Sequence, residues 1–176
     1  MFGTEAALVE QAAAGNEVAL DGLLRPLLKP AYHLAYMMLR DQDAAEDAVQ
    51  EAALKSWRKL AKLRPGTDPR PWFLGFVANE CRNMRRSRWR TVIRLGDRDD
   101  IAAPDQKSAG DPDLRSALAS LSDSDRVIVL LRFYLDMSIE EIAIAVKARP
   151  AAVRSRLYRA VKRMRPRLDA EEVIRG

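Results

Sequence analysis

Seven cations stand within fourteen residues near the C-terminal end: Arg154, Arg156, Arg159, Lys162, Arg163, Arg165 and Arg167. No acid occurs between Lys147 and Leu168. Val153, Leu157, Ala160 (or Val161) and Met164 recur among them at helical spacing. A helix of this pattern has one apolar face for a core and one cationic face that no acid at i±4 neutralises, which suits a polyanion. A second cluster, Arg82, Arg85, Arg86, Arg88 and Arg90, follows an apolar stripe of Trp72, Phe73, Phe76, Val77 and Met84. Trp89, set among Ser87, Arg88 and Arg90, has a ring that could stack on a base. This is the chemistry of phosphate and base recognition, not of bond making.

No enzyme signature accompanies it. The one cysteine, Cys81, cannot form an internal disulfide and reads as a buried, inert thiol. The one histidine, His33, is too far away in sequence to share a metal with it, and no metal or other cofactor is expected. Asp43, Glu46, Asp47 and Glu51 line up at i, i+3 and i+4. A di-metal carboxylate site would also need a histidine three residues after a glutamate on a facing helix, which His33 does not supply. The acids therefore read as a solvated face or a protein-docking face.

The cations need elements to hold them. Ser138 and Glu141 form a capping box ahead of Ile139, Ile142, Ala143 and Val146, and Pro150 suits the first turn of the next helix. Ser138–Arg167 thus has the layout of a helix-turn-helix whose second helix enters the major groove. Upstream, Gly15 ends a helix from Thr4 to Ala14, and Asn16 caps one in which Pro26 and Pro30 are expected to cause a bend or break before Ala31–Arg40. Asp41 or Asp43 caps the next helix, with Ala45, Val49, Ala52 (or Ala53), Trp57 and Leu60 as its buried stripe. Residues 64–71 hold three prolines and a glycine and read as a loop, and Pro71 opens the helix of the first arginine cluster. Residues 92–113 read as a flexible linker. Ser122 and Asp125 make a second capping pair before an apolar helix. The fold expected is all-α: two small helical domains, 1–91 and 114–176, joined by linker 92–113.

Charge follows the same division. The net charge is +5, yet the linker carries six acids against three cations. No apolar run approaches the roughly 18 residues needed to cross a bilayer. The N-terminal residues include acids and no cationic region of a signal peptide, so a cytoplasmic chain is expected.

In this order the segments resemble the sigma factors of bacterial RNA polymerase, in particular the short extracytoplasmic-function (ECF) group. DQDAAEDAVQEAALKSWRKL is similar to region 2.2 of that family, PWFLGFVANECRNMRRSRWR to regions 2.3 and 2.4, and residues 121–164 to region 4. The resemblance implies a promoter-specificity subunit that is not an enzyme. By it, Asp43, Asp47, Gln50 and Glu51 face core polymerase at the clamp helices of the largest subunit. Asn79 holds a base flipped from the −10 element in a pocket completed by the 64–71 loop. Arg64, Arg82, Arg85, Arg86, Arg88 and Arg90 follow −10 DNA. Arg149, Arg154, Ser155, Arg156, Arg159, Lys162 and Arg163 meet the −35 element, and region 4 rests on the flap of the second-largest subunit. The acidic linker would thread toward the active-site channel, or serve as a tether. With no extension after region 4 in this sequence, control by a separate anti-sigma protein is the expectation, with no membrane insertion. Family members commonly have glycine at the helix-helix turn and Gly-Thr opening the recognition helix. Lys147, Ala151 and Ala152 stand there instead, which predicts a wider turn and no contact from position 152. Two other readings fit the basic helices: a sigma-like decoy that only binds an anti-sigma factor, or a stand-alone helix-turn-helix regulator.

Overall fold

A computed structural model describes residues 2–60, 68–95 and 112–168. Its described residues are helical apart from short connections, and they divide into two compact units, Met1–Trp89 and Arg90–Gly176.

The first unit contains α1 (Phe2–Ala13), α2 (Glu17–Leu39), α3 (Gln42–Leu60) and most of α4 (Pro69–Leu95). The Asn16 side chain caps α2 by accepting from the Val18 and Ala19 N–H groups. The expected interruption at Pro26 and Pro30 does not occur, and Glu17–Leu39 is one helix. The carbonyls these prolines leave without a helical donor are those of Gly22 and Pro26. Gly22 and Pro26 face solvent, where water can bond them. Leu23, packed with Val9, Ala12, Ala19 and Leu60, anchors the first half, and Ala31, Leu34, Ala35 and Met38 are buried in the second. Asp41 is the cap of α3: its side chain accepts from the Ala44 N–H at 2.9 Å. Ala44, Ala45, Ala48 and Ala52 are buried, and such small side chains let α3 approach its neighbours closely.

Trp57 departs from the expected stripe. It is 44% exposed, and Ser56 takes the inward place, its hydroxyl donating to the Ala53 carbonyl at 2.8 Å. Helix α4 opens at Pro69, two residues before the expected start, and runs to Leu95, inside the expected linker. Phe73, Leu74, Val77, Ala78 and Cys81 form its buried face. Burial pushes the Cys81 thiol up to about 12, so it stays protonated and inert.

The second unit packs α5 (Pro112–Ala119), α6 (Asp123–Val129) and α7 (Ile139–Val146) against α8 (Pro150–Leu168). Ser122 caps α6 through the Asp125 N–H. The apolar run after it is not a plain α-helix. Leu130–Tyr134 forms a π turn, in which the Leu135 N–H donates to the Leu130 carbonyl. This wider turn buries Leu130 and Leu131 and turns Phe133 and Tyr134 outward. Among the described residues no helix is long and apolar enough to cross a membrane.

Candidate nucleic-acid interface

The helix-turn-helix starts with the expected capping box. The Glu141 N–H donates to Ser138 Oγ at 3.1 Å, and the Ser138 N–H donates to Glu141 Oε2 at 2.7 Å. Its turn is not widened by Lys147. That residue adopts the left-handed conformation itself (φ 53°, ψ 49°). The Ala148 N–H donates to the Ala143 carbonyl, and the Lys147 N–H to Ile144, a Schellman arrangement. Two backbone bonds thus offset the roughly 1 kcal/mol that a non-glycine residue costs in this region. The Arg149 carbonyl then accepts from Ala152 and Val153 to begin α8.

On α8, Val153, Ala160 and Met164 are buried, whereas Arg154, Ser155, Arg159, Lys162 and Arg163 are exposed, as is Arg149 just before the helix. Arg154 approaches Glu140 only at 4.0 Å with both side chains solvated, a pair worth little. Arg156 differs from the rest. Its Nε and Nη2 donate to Asp125 Oδ1 on α6 at 3.0 and 2.9 Å. Ser122, Asp125, Arg156, Arg159, Ala160 and Arg163 line a shallow pocket between α6 and α8. Tyr158, absent from the sequence-derived set, is 70% exposed among these cations. The signal for it was present: it lies four residues from both Arg154 and Lys162, off the apolar stripe.

In the first unit Asn79 is exposed on α4, and Arg82 Nη2 lies 3.4 Å from its Oδ1. Arg86 is exposed. Arg85 is half-buried, its Nη1 donating at 3.0 Å to the carbonyl of Met38 in the last turn of α2. Arg88 Nη2 donates to Asp41 Oδ2 at 2.8 Å. Arg85 and Arg88 therefore find their partners outside their own helix. Beneath them Glu80 is buried, and it accepts from Lys55 Nζ at 2.7 Å, tying α4 to α3. That bond raises the Lys55 pKa. Arg64 lies outside the described residues, as do residues 65–67 of the loop and the side chains of Trp89 and Arg90.

Asp43, Glu46, Asp47, Gln50 and Glu51 are all exposed on α3. Leu54 and Trp57, each 44% exposed, continue that face, so acids give way to an apolar end. Sequence periodicity alone placed Trp57 on the opposite side.

Two carboxylates fix these corners. The Ala44 N–H and the Arg88 guanidinium hold the Asp41 carboxyl below its ordinary range. Burial works against ionising Asp125, but bonds from Ser122 and Arg156 outweigh it and lower its pKa too. A depressed carboxyl stabilises the fold above its unfolded pKa of about 3.9 and loses that contribution as pH falls through the lower folded value. Circular dichroism should therefore show helix loss beginning below about pH 4. Asp41→Asn should leave a shallower acid transition, and a profile identical to the parent would remove Asp41 from this account.

The "Sigma-70 region 2" family model matches residues 23–91, and the "Sigma-70, region 4" model matches residues 112–164. The chain belongs to the sigma-70 family. RNA polymerase sigma factor SigV of Bacillus subtilis is 31% identical over 145 residues, covering 81% of this chain and 86% of SigV. ECF RNA polymerase sigma factor SigL of Mycobacterium tuberculosis is 28% identical over 178 residues, covering 96% and 99%. Among solved structures, the sigma factor RpoE in complex with the anti-sigma factor NepR from Bartonella quintana is similar at a TM-score of 0.66 and 25% identity, over 83% of this chain and 94% of that one. As a sigma factor of the ECF kind, the chain acts in transcription initiation with core RNA polymerase and promoter DNA. Sigma factors as a class are initiation factors rather than enzymes.

Proposed function

We propose that residues 1–91 bind core polymerase and the −10 element, and that residues 114–176 bind the −35 element in the major groove. The observation that carries this reading is the exposed cationic face of α8, presented by a capped helix-turn-helix and backed by Val153, Ala160 and Met164. An α-helix of this width fits the B-DNA major groove, and its cations reach the flanking phosphates. On that face Ser155, Arg159, Lys162 and Arg163 meet DNA, with Arg149 and Arg154 at the edges and Tyr158 between them. On α4, Asn79 offers an amide that can donate and accept toward one base edge, as a flipped base requires. Arg82 and Arg86 stand beside it for phosphates, with Arg64, Arg85, Arg88 and Arg90 assigned to the same strand. Arg85 and Arg88 reach that strand only by sharing or leaving their present partners.

Asp43, Asp47, Gln50 and Glu51 make the docking face for the clamp helices of the largest polymerase subunit, and Leu54 and Trp57 extend it with apolar area. The second unit rests on the flap. The likeness to RpoE, crystallised with its anti-sigma factor, supports control by an anti-sigma protein. The chain works in the cytoplasm, without catalytic activity or cofactor of its own.

Run-off transcription with sigma-free core polymerase tests the whole reading. The chain should give promoter-dependent transcripts. Binding to DNA without transcripts would indicate a stand-alone regulator, and neither activity would indicate a decoy. Asn79→Ala is expected to lower transcription with altered base preference at one −10 position, read by comparing templates mutated there. An unchanged −10 preference would remove the base-capture role.

A further inference from the structure

Among the described side chains of α8, Arg156 is the arginine that the fold holds inward. Its side chain is 29% exposed and that of Asp125 is 23% exposed. Nε and Nη2 both donate to Asp125 Oδ1. The other carboxylate oxygen, Oδ2, accepts from the Ser122 hydroxyl at 2.8 Å, and that same hydroxyl accepts from the Asp125 N–H at 3.2 Å. The carboxylate is thus fixed at both oxygens, by the cap of α6 on one side and by Arg156 on the other. A guanidinium reads guanine O6 and N7 with two parallel N–H groups. Arg156 commits its Nε–Nη2 edge within its own chain, which leaves the Nη1–Nη2 edge.

We infer that Asp125 is a specificity-determining positioning residue: it withholds the Nε–Nη2 edge of Arg156 from the bases, fixes the direction of the edge that remains, and leaves α8 to read DNA chiefly with Ser155, Arg159 and their neighbours. This rests on the proposal that α8 contacts the −35 element. Asp125 also sets the electrostatics of the groove, since it lies in the same pocket as Arg159 and Arg163. One acid among three arginines neutralises Arg156 and leaves the other two for phosphates. Releasing Arg156 would add a free cation and a second bidentate edge at a fixed place along the helix.

The test is selection by reconstituted holoenzyme from duplexes randomised across the −35 segment, followed by affinity measurements over a salt series. Asp125→Asn preserves shape and removes the charge. It is expected to add or strengthen a guanine preference at one −35 position. It should also steepen the dependence of log K on log salt by about 0.9, the increment of one further phosphate contact. Asp125→Glu should restore the parent preference. Ser122→Ala should lower the melting temperature and leave the preference unchanged, because it weakens the cap but keeps the Asp125–Arg156 pair. If Asp125→Asn also lowers only the melting temperature, with parent preference and parent salt slope, the pair is structural and the inference is wrong. If the parent holyoenzyme, active in run-off assays, enriches no −35 sequence, the assignment of α8 fails first and takes this inference with it.

Discussion

Arg126→Met is expected to destabilise the second unit by about 2–4 kcal/mol, the cost of leaving one or two buried polar groups unsatisfied. Arg126 is only 6% exposed. Helix α5 ends at Ala119, where the last carbonyls lack intrahelical donors. Arg126 supplies them: Nε donates to Leu118 at 2.9 Å, and Nη2 to Leu121 at 3.2 Å and Ala119 at 3.3 Å. Methionine fills much of the volume and offers no N–H, so the loss isolates the polar contribution. Lysine should rescue little, because a compact ammonium cannot span three carbonyls as a planar guanidinium does. All three tryptophans lie at or before position 89, in the first unit, so their fluorescence reports that unit while circular dichroism reports both. In urea, the dichroism should show an early transition that tryptophan fluorescence lacks. A dichroism curve that superimposes on the parent's would mean the carbonyls do not depend on Arg126.

Replacing Arg159, Lys162 and Arg163 together by glutamine is expected to weaken binding to duplex DNA several-hundred-fold at about 0.1 M salt. Each phosphate contact contributes about 0.9 to the slope of log K against log salt, so three contacts supply about 2.7 decades between 1 M and 0.1 M. All three side chains are exposed on α8. Glutamine has nearly the helix propensity of lysine and arginine, so the helix should persist. Fluorescence anisotropy of a labelled −35 duplex with the full chain, at several salt concentrations, gives both numbers. An unchanged slope would place the DNA on another face. Unlike Asp125→Asn, this variant should weaken all sequences by similar factors, because phosphates carry no sequence information.

Much of this architecture was legible in the residues. The Ser138–Glu141 box, the Ser122–Asp125 cap, the Asn16 cap and the apolar stripe of α8 were read correctly, because helix periodicity and capping act within four residues of chain. The all-α, two-domain fold followed from the same local signals. Misreadings arose where a local rule met a tertiary surface. Pro26 and Pro30 signal a bend or a break, and of these the break is absent: α2 is continuous, with buried residues on both sides. Lys147 signals a loosened turn, yet backbone bonds to Ala143 and Ile144 hold the tight one. Trp57 signals a core, but Ser56 and Leu60 face inward and Trp57 is half exposed.

By itself the sequence determined the all-α class, most helix caps, the apolar stripe of α8 and that two cationic helices recur in the order of a sigma factor. Only the tertiary structure decided which cations are available. Arg88 meets Asp41 across 47 residues, Arg156 meets Asp125 across 31, and Lys55 meets Glu80 across 25. Such pairs depend on which helices pack together and at what rotation. Spacing along one helix does not encode that, because hydrophobic packing sets it through contacts between segments far apart in the chain.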